Sequence, residues 1–217
     1  MELELKKECL DTYELGEPQT LTQEETAETI VPDYCPDIAR IISAEGVVCL
    51  HGGTEQDGVT GTVRVTVLYT PENESGVRAL EFAMPFSAQG EGLAGCAHVV
   101  VETEIELLES RMLNPRKIFT RCKLVTHLAG CRKVCLTISS DAETDPALLV
   151  EKRCCGQTVS LLRQVAEKDL TFSETMSLSL GREGAAELLH CRANGIVTET
   201  KAIGNKLIFK GVFLVSA

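Results

Sequence analysis

Cysteine and histidine are the side chains of this chain best suited to chemistry, with ten cysteines and four histidines among 217 residues. Closely spaced thiolates bind zinc. The densest cluster comprises Cys122, His127, Cys131, Cys135 and the adjacent pair 154–155. Cys131 and Cys135 would lie roughly 13 Å apart on one face of a strand, because a strand rises about 3.3 Å per residue. One metal ion cannot bridge that gap, so we predict no metal site.

Nucleophilic catalysis is the second chemistry that these residue types allow. A cysteine beside a histidine can attack a carbonyl group, provided that a third group orients the imidazole. The sequence has no Gly-x-Ser-x-Gly elbow, no phosphate-binding loop and no His-Glu-x-x-His motif. Any triad drawn from ten cysteines and four histidines would be arbitrary. We therefore predict that the chain is not an enzyme, has no catalytic residues and uses no cofactor.

Covalent cross-linking is a third use of thiols. Exposed cysteines form disulfides when a protein passes from a reducing cytoplasm to an oxidising medium. We expect Cys9, near the N-terminus, and the neighbouring Cys154 and Cys155 to be cross-link candidates. Buried, unreactive thiols are the plain alternative. A small metal-binding or redox-sensing module built on residues 122–155 is the alternative function.

The net charge excludes several classes of partner. It is −11, from 32 acidic and 21 basic residues. Binding to nucleic acid or to anionic lipid depends on an excess of Lys and Arg, so neither is expected. No apolar run reaches the length of about 18–20 residues that a membrane span needs, and residues 1–7 lack a signal-peptide core. We expect synthesis in the cytoplasm and no membrane insertion.

One basic segment, residues 111–133, stands out in this acidic chain. The first interpretation is a solvated strand face that pairs with Glu-rich neighbours such as residues 102–106. The second is a docking stripe for an acidic surface on another copy of the chain, since complementary charge sets specificity and association rate. The second interpretation makes Arg111, Arg116 and Lys117 candidate partner-binding residues.

The elements that position these residues are predicted to be strands. Apolar and polar residues alternate in residues 62–69, 99–107, 117–125 and 133–138, and Gly, Pro and Asn occupy the breaks. Many short strands separated by turns favour an all-β, antiparallel sandwich or barrel-like fold. Two short helical turns are expected, at residues 36–42 and 183–190, the first because Pro suits the first helical position.

A partial internal repeat divides the chain. Residues 21–26, 46–48 and 61–65 recur in order, at nearly constant spacing, as residues 170–175, 195–197 and 211–215. The glycines of the matched segments, Gly46 with Gly195 and Gly61 with Gly211, are part of the similarity. We expect a complete β domain over residues 1–165 and a partial second copy over 166–217 that packs on the first or completes it.

Four motifs, in order, carry a family resemblance. They are the segment 31–42, with Pro-Asp at residues 32–33 and again at 36–37; the strand 61–69, which ends in Leu-Tyr; the segment 84–87, Met-Pro-Phe-Ser; and Ser110-Arg111 followed by Asn-Pro-Arg-Lys-Ile at 114–118. Together they span roughly residues 20–125. On these residues the chain resembles the SPOCS domain of SipL-like morphogenetic proteins, which build the endospore envelope of clostridia.

The resemblance implies a structural role without catalysis. The expected partners are other spore-envelope morphogenetic proteins and copies of the chain itself. The expected location is the mother-cell cytoplasm, followed by the forespore and spore surface. The LysM domain of SipL-like proteins has no counterpart in these 217 residues, so its partner is not carried over, and residues 181–187 of the second copy lack the Pro-Asp signature.

The double Pro-Asp signature is expected to form a corner of the chain. Pro32 and Pro36 fix φ and favour an extended conformation in the residues before them, and Asp33 and Asp37 can accept backbone N–H bonds. One interpretation is a corner that sets the topology. The other is a partner-binding corner that exposes Asp33, Tyr34 and Arg40.

The last strand predicted from the sequence, residues 205–215, is long and apolar. An open apolar edge promotes aggregation, so we expect this strand to be covered. It either pairs back within residues 1–165, which is the preferred expectation, or adds to a sheet of another copy.

Overall fold

The computed structural model describes residues 4–51, 58–143, 151, 153, 155–156, 158–166, 171, 173–175 and 188–216. These ranges contain nine strands and no helix, and all strand pairs are antiparallel. The predicted all-β, antiparallel fold is therefore confirmed. The strands are β1 (Glu4–Leu15), β2 (Gln19–Ile30), β3 (Ile38–His51), β4 (Gly58–Pro71), β5 (Arg78–Gln89), β6 (His98–Asn114), β7 (Lys117–Glu143), β8 (Arg192–Ile203) and β9 (Lys206–Ser216).

Strand β7, with 27 residues, organises the first sheet. Its first half pairs with β2 on one edge and with β6 on the other. Its second half pairs with β1, which precedes β2 on the same edge. The second sheet has the order β3-β4-β5, and β8 and β9 form a separate hairpin. Because β3 lies beside β6 and β5 beside β2, the two larger sheets face each other as a sandwich rather than closing into a barrel.

The core lies between the inner faces of these two sheets. Strand β4 contributes every second residue, and β5 and β7 alternate in the same way. The buried side chains are mainly aliphatic, and Tyr69 is the largest that is fully buried. The main cluster is Val31, Ile38, Val63, Val65, Val67, Tyr69, Leu80, Met84, Phe86, Ile118, Cys122 and Leu124.

The helical turn predicted at residues 36–42 is wrong, because strand β3 begins at Ile38. Three of these residues, Ile38, Ile41 and Ile42, are β-branched and favour a strand. The N–H of Ile38 donates to the carbonyl of Pro115 at 2.9 Å, so it is not available for a helical hydrogen bond. Of the second predicted turn, residues 183–187 lie outside the described residues, and residues 188–190 are not helical.

Candidate functional site

Arg116 donates the side-chain hydrogen bonds that hold the corner formed by the double Pro-Asp signature. Its Nη1 donates to the carbonyl of Cys35 at 2.8 Å and to Asp37 Oδ1 at 3.0 Å. Its Nη2 donates to the carbonyl of Val31 at 3.0 Å and to Asp33 Oδ1 at 3.1 Å. One guanidinium therefore holds two carboxylates and two backbone carbonyls, a use that suits its five fixed donors. We call Arg116 with these four acceptors the Arg116 clasp.

Backbone hydrogen bonds reinforce the clasp. The N–H of Val31 donates to the carbonyl of Arg116 at 2.9 Å, and the N–H of Cys35 donates to Pro32 at 2.9 Å. The Arg116 N–H donates to Asn114 Oδ1 at 2.9 Å, which fixes the β6–β7 turn. The clasp therefore joins the β2–β3 connection to the β6–β7 turn. This geometry favours the interpretation of the signature as a corner that sets the topology.

Tyr69 supports the corner from the core side. Its side chain is fully buried at the end of β4, and its hydroxyl donates to the carbonyl of Pro36 at 3.3 Å. Burial is the main reason that the pKa of Tyr69 rises to about 12, with a smaller contribution from the Cys35 thiol. The phenol therefore stays neutral and acts as a structural donor at neutral pH.

The other predicted corner residues are exposed. The Tyr34 side chain is 87% exposed at the tip of the corner, and Arg40 is exposed on β3. Asp33 is exposed as well, although its carboxylate accepts from Arg116. The structure thus brings Asp33 and Arg116 together inside the clasp and leaves Tyr34 and Arg40 on the surface around it.

The basic segment has most of its charges matched within the chain. Lys117 forms an ion pair with Glu28, Arg121 with Glu24 at 2.5 Å, and Lys123 with Glu106 at 2.7 Å. The hydrogen bond from Arg121 lowers the pKa of the Glu24 carboxyl. Arg111 lies over the ring of Phe119, 4.8 Å from its centroid. This pattern favours a solvated face paired with Glu-rich neighbours over a free docking stripe.

A groove of about 750 Å³ runs beside the basic segment, where β3 meets β6. Ile41 and Leu108 give it an apolar side, whereas Glu109, Arg111 and Arg121 give it a charged side. The register of β3 shifts between Ile41 and Ser43, a bulge of the kind that keeps edge strands from pairing.

The predicted cross-link cysteines have three different outcomes. The structure pairs Cys9 in a disulfide with Cys135, which joins β1 to the second half of β7. Cys155 is a free, exposed thiol, whereas Cys154 lies outside the described residues. Cys122 is buried in the core, and burial raises its pKa to about 11.

His98 packs near the Tyr13 ring, with the ring centroids 6.0 Å apart, whereas the other three histidines contact hydroxyl or carboxylate oxygens. His51 Nε2 lies 2.7 Å from Thr62 Oγ1, and His127 Nδ1 lies 3.1 Å from Thr20 Oγ1. His190 Nε2 lies 3.0 Å from Glu45 Oε2, next to a cavity of about 600 Å³ that Cys49 and Cys191 also line. Within the part of the chain that the structure describes, no three His, Cys, Asp or Glu side chains converge as metal ligands. The same part contains no helix of membrane-spanning length and apolarity.

The two faces of the β8–β9 hairpin differ in charge. One face carries Glu199, Lys201 and Lys210, with ion pairs from both lysines to Glu199. The same face also exposes apolar side chains, namely Ile196, Ile203, Ile208, Val212 and Leu214. The opposite face carries no charged residue, because alternate residues of the two paired strands are apolar or small. We call it the charge-free face. It consists of Ala193, Gly195, Val197, Thr200 and Ala202 on β8 and Leu207, Phe209, Gly211, Phe213 and Val215 on β9.

Several apolar side chains of the charge-free face are exposed. Phe209 is 60% exposed, and Val197 is 63% exposed. Strands β8 and β9 pair only with each other among the described strands, so they do not complete either larger sheet. The preferred expectation, that the last strand pairs back within residues 1–165, is not what the described strands do.

The internal repeat relates this open face to a buried one. Gly46, Val48 and Val63 on the inner face of β3–β4 match Gly195, Val197 and Phe213 on the charge-free face. A side chain at position 46 would meet Ile105 and Leu108 of β6, because the facing sheet lies against Gly46. Among the described strands, no sheet lies over this hairpin as the sheet of β6 lies over β3–β4.

No residue of this face was predicted from the sequence to be a binding residue. The last strand was predicted only to be apolar and to be covered by another strand or another copy. The signal was the uninterrupted apolar alternation from Leu207 to Val215, which has no charge on one side. Comparison with known protein families, curated proteins and solved structures finds no match to this chain.

Proposed function

We propose that this chain is a non-catalytic assembly protein of the bacterial endospore envelope, which acts by binding other envelope proteins and copies of itself. The charge-free face of the β8–β9 hairpin carries the proposal. A sheet face with strongly exposed apolar side chains such as Val197, Leu207 and Phe209 is costly to leave in water and gains free energy when a partner covers it.

The resemblance to the SPOCS domain supplies the envelope part of the proposal. Two of the motifs that carry it, the Pro-Asp signature and residues 114–118, meet in the Arg116 clasp. Their contact supports the idea that the motifs serve one structural unit. A scaffold protein needs residues that stabilise its fold, and it needs no catalytic residues.

The Arg116 clasp and the charge-free face have different tasks in this proposal. The clasp fixes the corner of the sandwich through buried carbonyls, so it stabilises the domain. The hairpin, whose strands belong to neither larger sheet, presents the binding surface. Tyr34 and Arg40, exposed around the corner, supply a second, smaller surface for envelope partners.

A redox-sensing module is the second candidate, because Cys9 and Cys135 are joined across β1 and β7. Two thiols form that bond by giving two protons and two electrons to an oxidant such as oxidised glutathione. Thiol titration before and after reduction, together with metal analysis of freshly purified protein, separates the candidates. An assembly protein keeps its self-association after reduction, whereas a redox sensor changes its association state.

Localisation in sporulating cells tests the main proposal. Fluorescent fusions of the wild type, Phe209→Glu and Leu214→Glu form a matched set, because the two side chains are 60% and 58% exposed and lie on opposite faces of β9. We expect the wild type and Leu214→Glu to surround the developing spore and Phe209→Glu to stay diffuse in the mother cell. A wild-type fusion that stays diffuse would refute the proposal.

A further inference from the structure

We propose that one edge of β7, over residues 133–139, pairs antiparallel with the same edge of a second copy, across a twofold axis at Leu136. We call residues 133–139 the β7 edge. This inference rests on the proposed function, because it names a surface through which copies of the chain associate. It does not use the charge-free face of the hairpin.

Strand β7 has a neighbour on only one side beyond Cys131. Strand β6 pairs with β7 as far as Cys131, which lies opposite His98, whereas β1 pairs with the other side of β7 as far as Glu143. Among the described strands, β1 and the second half of β7 therefore form a two-stranded ribbon. Such a ribbon is marginally stable by itself and gains stability from a further strand.

Two backbone hydrogen bonds show which residues of β7 point towards this open side. The N–H of Gly16 donates to the carbonyl of Gly130 at 2.8 Å, so Gly130 points towards the β1 side. The N–H of Ala97 donates to the carbonyl of Cys131 at 2.8 Å, so Cys131 points towards the β6 side. Because this direction alternates along a strand, the N–H and C=O groups of residues 133, 135, 137 and 139 point towards the open side.

Tyr13 supports this assignment from β1. It lies opposite Lys133, yet its N–H donates to the carbonyl of Leu162 at 2.8 Å, which is not part of β7. Tyr13 and Lys133 therefore form a pair without mutual hydrogen bonds, in which the backbone groups of both residues point outwards. The outward-pointing residues of the β7 edge are all exposed, namely Lys133, Cys135, Thr137 and Ser139.

The β7 edge is complementary to itself about Leu136. A twofold axis at this residue places Lys133 opposite Ser139 of the second copy, and Cys135 opposite Thr137. In each of these pairs both residues point towards the partner, so each pair exchanges two hydrogen bonds. The axis thereby uses every outward-pointing residue from 133 to 139.

Neighbouring positions of the axis use fewer of these residues. An axis at residue 135 would place Ser139 opposite Cys131, whose carbonyl already accepts from Ala97. An axis at residue 137 would place Lys133 opposite residue 141, beyond the register shift at which Ser140 has no partner in β1. The end of β6 and this bulge therefore limit the ladder to residues 133–139.

The same axis pairs apolar side chains. Val134, Leu136 and Ile138 share one face of β7, between the outward-pointing residues. The axis places Leu136 beside Leu136 of the second copy, and Val134 beside Ile138. These pairs exchange no hydrogen bonds, so their side chains lie closest together. Leu136 and Ile138 are 44% and 42% exposed in the chain, so they gain burial from the pairing.

Charge favours an antiparallel second copy over a parallel one. The basic residues Arg132 and Lys133 lie at one end of the β7 edge, and the acidic residues Asp141 and Glu143 lie just beyond the other end. Antiparallel pairing brings the basic end of each copy towards the acidic end of the other. Residues 134–139 contain no charge and no proline, which are the features that commonly keep an edge strand from pairing.

The length of the β7 edge limits the strength of the contact. Seven residues of strand span about 24 Å, and a strand with the side chains of both faces is about 10 Å thick, so each copy contributes about 240 Å². Two copies together fall below the roughly 1,200 Å² of a standard stable interface. We therefore expect a reversible dimer that dissociates between about 1 µM and 1 mM.

Hydrogen exchange of backbone amides, resolved by NMR, tests the inference on the full chain with its free thiols alkylated to prevent disulfide-linked dimers. In dilute solution the amides of residues 134, 136 and 138, which point towards β1, should exchange slowly, and those of 133, 135, 137 and 139 rapidly. At dimer-forming concentrations exchange of the second set should slow several-fold. Slow exchange of that set in the dilute monomer, or rapid exchange in a sample that sediments as a dimer, overturns the proposal.

A pair of proline variants tests the same edge by sedimentation velocity. Thr137→Pro removes an outward-pointing N–H and spares the hydrogen bonds to β1. Asp11→Pro is the matched control, because Asp11 lies opposite Cys135 and its N–H points outwards from the other side of the ribbon. The wild type and Asp11→Pro should dimerise as the concentration rises through about 1 µM to 1 mM, and Thr137→Pro should stay monomeric. Loss of the dimer in both variants, or in neither, overturns the proposal.

Nuclear Overhauser contacts between methyl groups test the axis. Val134 and Ile138 lie about 13 Å apart along one strand, too far for such a contact, but adjacent across the proposed axis. A mixture of labelled and unlabelled copies should show this contact between copies, and only at dimer-forming concentrations. A contact between Val134 of one copy and Leu136 of the other would overturn the axis at Leu136.

The failure of this inference and the failure of the proposed function give different results. A wild type that stays monomeric to about 1 mM refutes the pairing of β7 edges. If its fluorescent fusion still surrounds the spore, the proposed function stands and other envelope proteins are its partners. Phe209→Glu, which changes only the charge-free face, should dimerise like the wild type although its fusion stays diffuse. A wild-type fusion that stays diffuse refutes the proposed function even where the dimer is found.

Discussion

Val63 in β4 and Phe213 in β9 occupy matching positions of the internal repeat, yet Val63 is fully buried and Phe213 is 58% exposed. Each strand pairs with a neighbour that carries the matching glycine, but the registers differ. Val63 lies opposite Val48, whereas Phe213 lies opposite Gly195. The difference lies in the cover. Strand β6 and its sheet lie over the first face, whereas the described chain places no sheet over the second.

This comparison shows that alternation of apolar residues specifies a face that needs burial but not the partner that buries it. In the first copy the partner is local, because β5, β6 and β7 follow in the same chain. In the hairpin, Val197 and Phe209 are exposed, and we propose that a partner protein covers them. The following predictions test whether the two faces differ in this way.

The largest expected effect is a charge placed in the covered face. Val63→Asp puts a carboxylate into the core without a partner, so we expect a loss of more than about 4 kcal/mol in the free energy of unfolding, enough to prevent folding. Phe209→Asp, at a position of the charge-free face that is 60% exposed, should change that free energy by less than about 0.5 kcal/mol. Urea unfolding followed by circular dichroism measures both, and equal losses would mean that the hairpin face is already covered within the chain.

The Arg116 clasp belongs to the covered region and should matter to its stability. Arg116→Met removes four hydrogen bonds and leaves Asp33 and Asp37 without their cation, which we expect to cost about 3 kcal/mol. Arg121→Met is the control, because its exposed pair with Glu24 should contribute less than about 1 kcal/mol. A smaller loss of unfolding free energy for Arg116→Met than for Arg121→Met would show that the clasp does not stabilise the domain.

Tyr69 gives the covered region a pH dependence that the open hairpin lacks. Because its folded-state pKa is raised to about 12, the contribution is complete below about pH 10 and is lost as the pH rises towards 12. The expected loss is on the order of 2–3 kcal/mol. Unfolding free energies from pH 9 to 12 should therefore fall more steeply for the wild type than for Tyr69→Phe. Parallel curves would show that the phenol is not held neutral.

The all-β architecture was predictable because period-two alternation is strong in β4, β6 and β7. The helical turn predicted at residues 36–42 is wrong, because three β-branched isoleucines favour a strand there more strongly than Pro36 and Asp37 favour the start of a helix. Local signals could not show that Ile38 would donate to Pro115, a residue distant in the sequence. Long-range pairing decided the local conformation.

The candidate site was only partly predictable. Arg116 was identified as a charged residue in a basic segment, but its role in the clasp depends on two backbone carbonyls that no residue pattern reveals. One of the two interpretations of the basic segment paired it with Glu-rich neighbours such as residues 102–106, and Lys123 does pair with Glu106. The glutamates of β2 that pair with Lys117 and Arg121 were not predicted. The residues of the charge-free face could not be predicted, because the register of β8 on β9 decides which residues share a face. The sequence does not specify that register.

Hydroxyl-radical footprinting of phenylalanine side chains tests the central claim most directly, because it reads the cover of each face in the same sample. In dilute solution Phe209 should be oxidised rapidly, whereas Phe86, which is buried in the sandwich, should react slowly. At concentrations at which the chain forms assemblies larger than the β7-edge dimer, oxidation of Phe209 should fall several-fold and that of Phe86 should not change. Protection of Phe209 already in the dilute monomer, or full reactivity in the associated state, would contradict the claim that a partner covers this side chain.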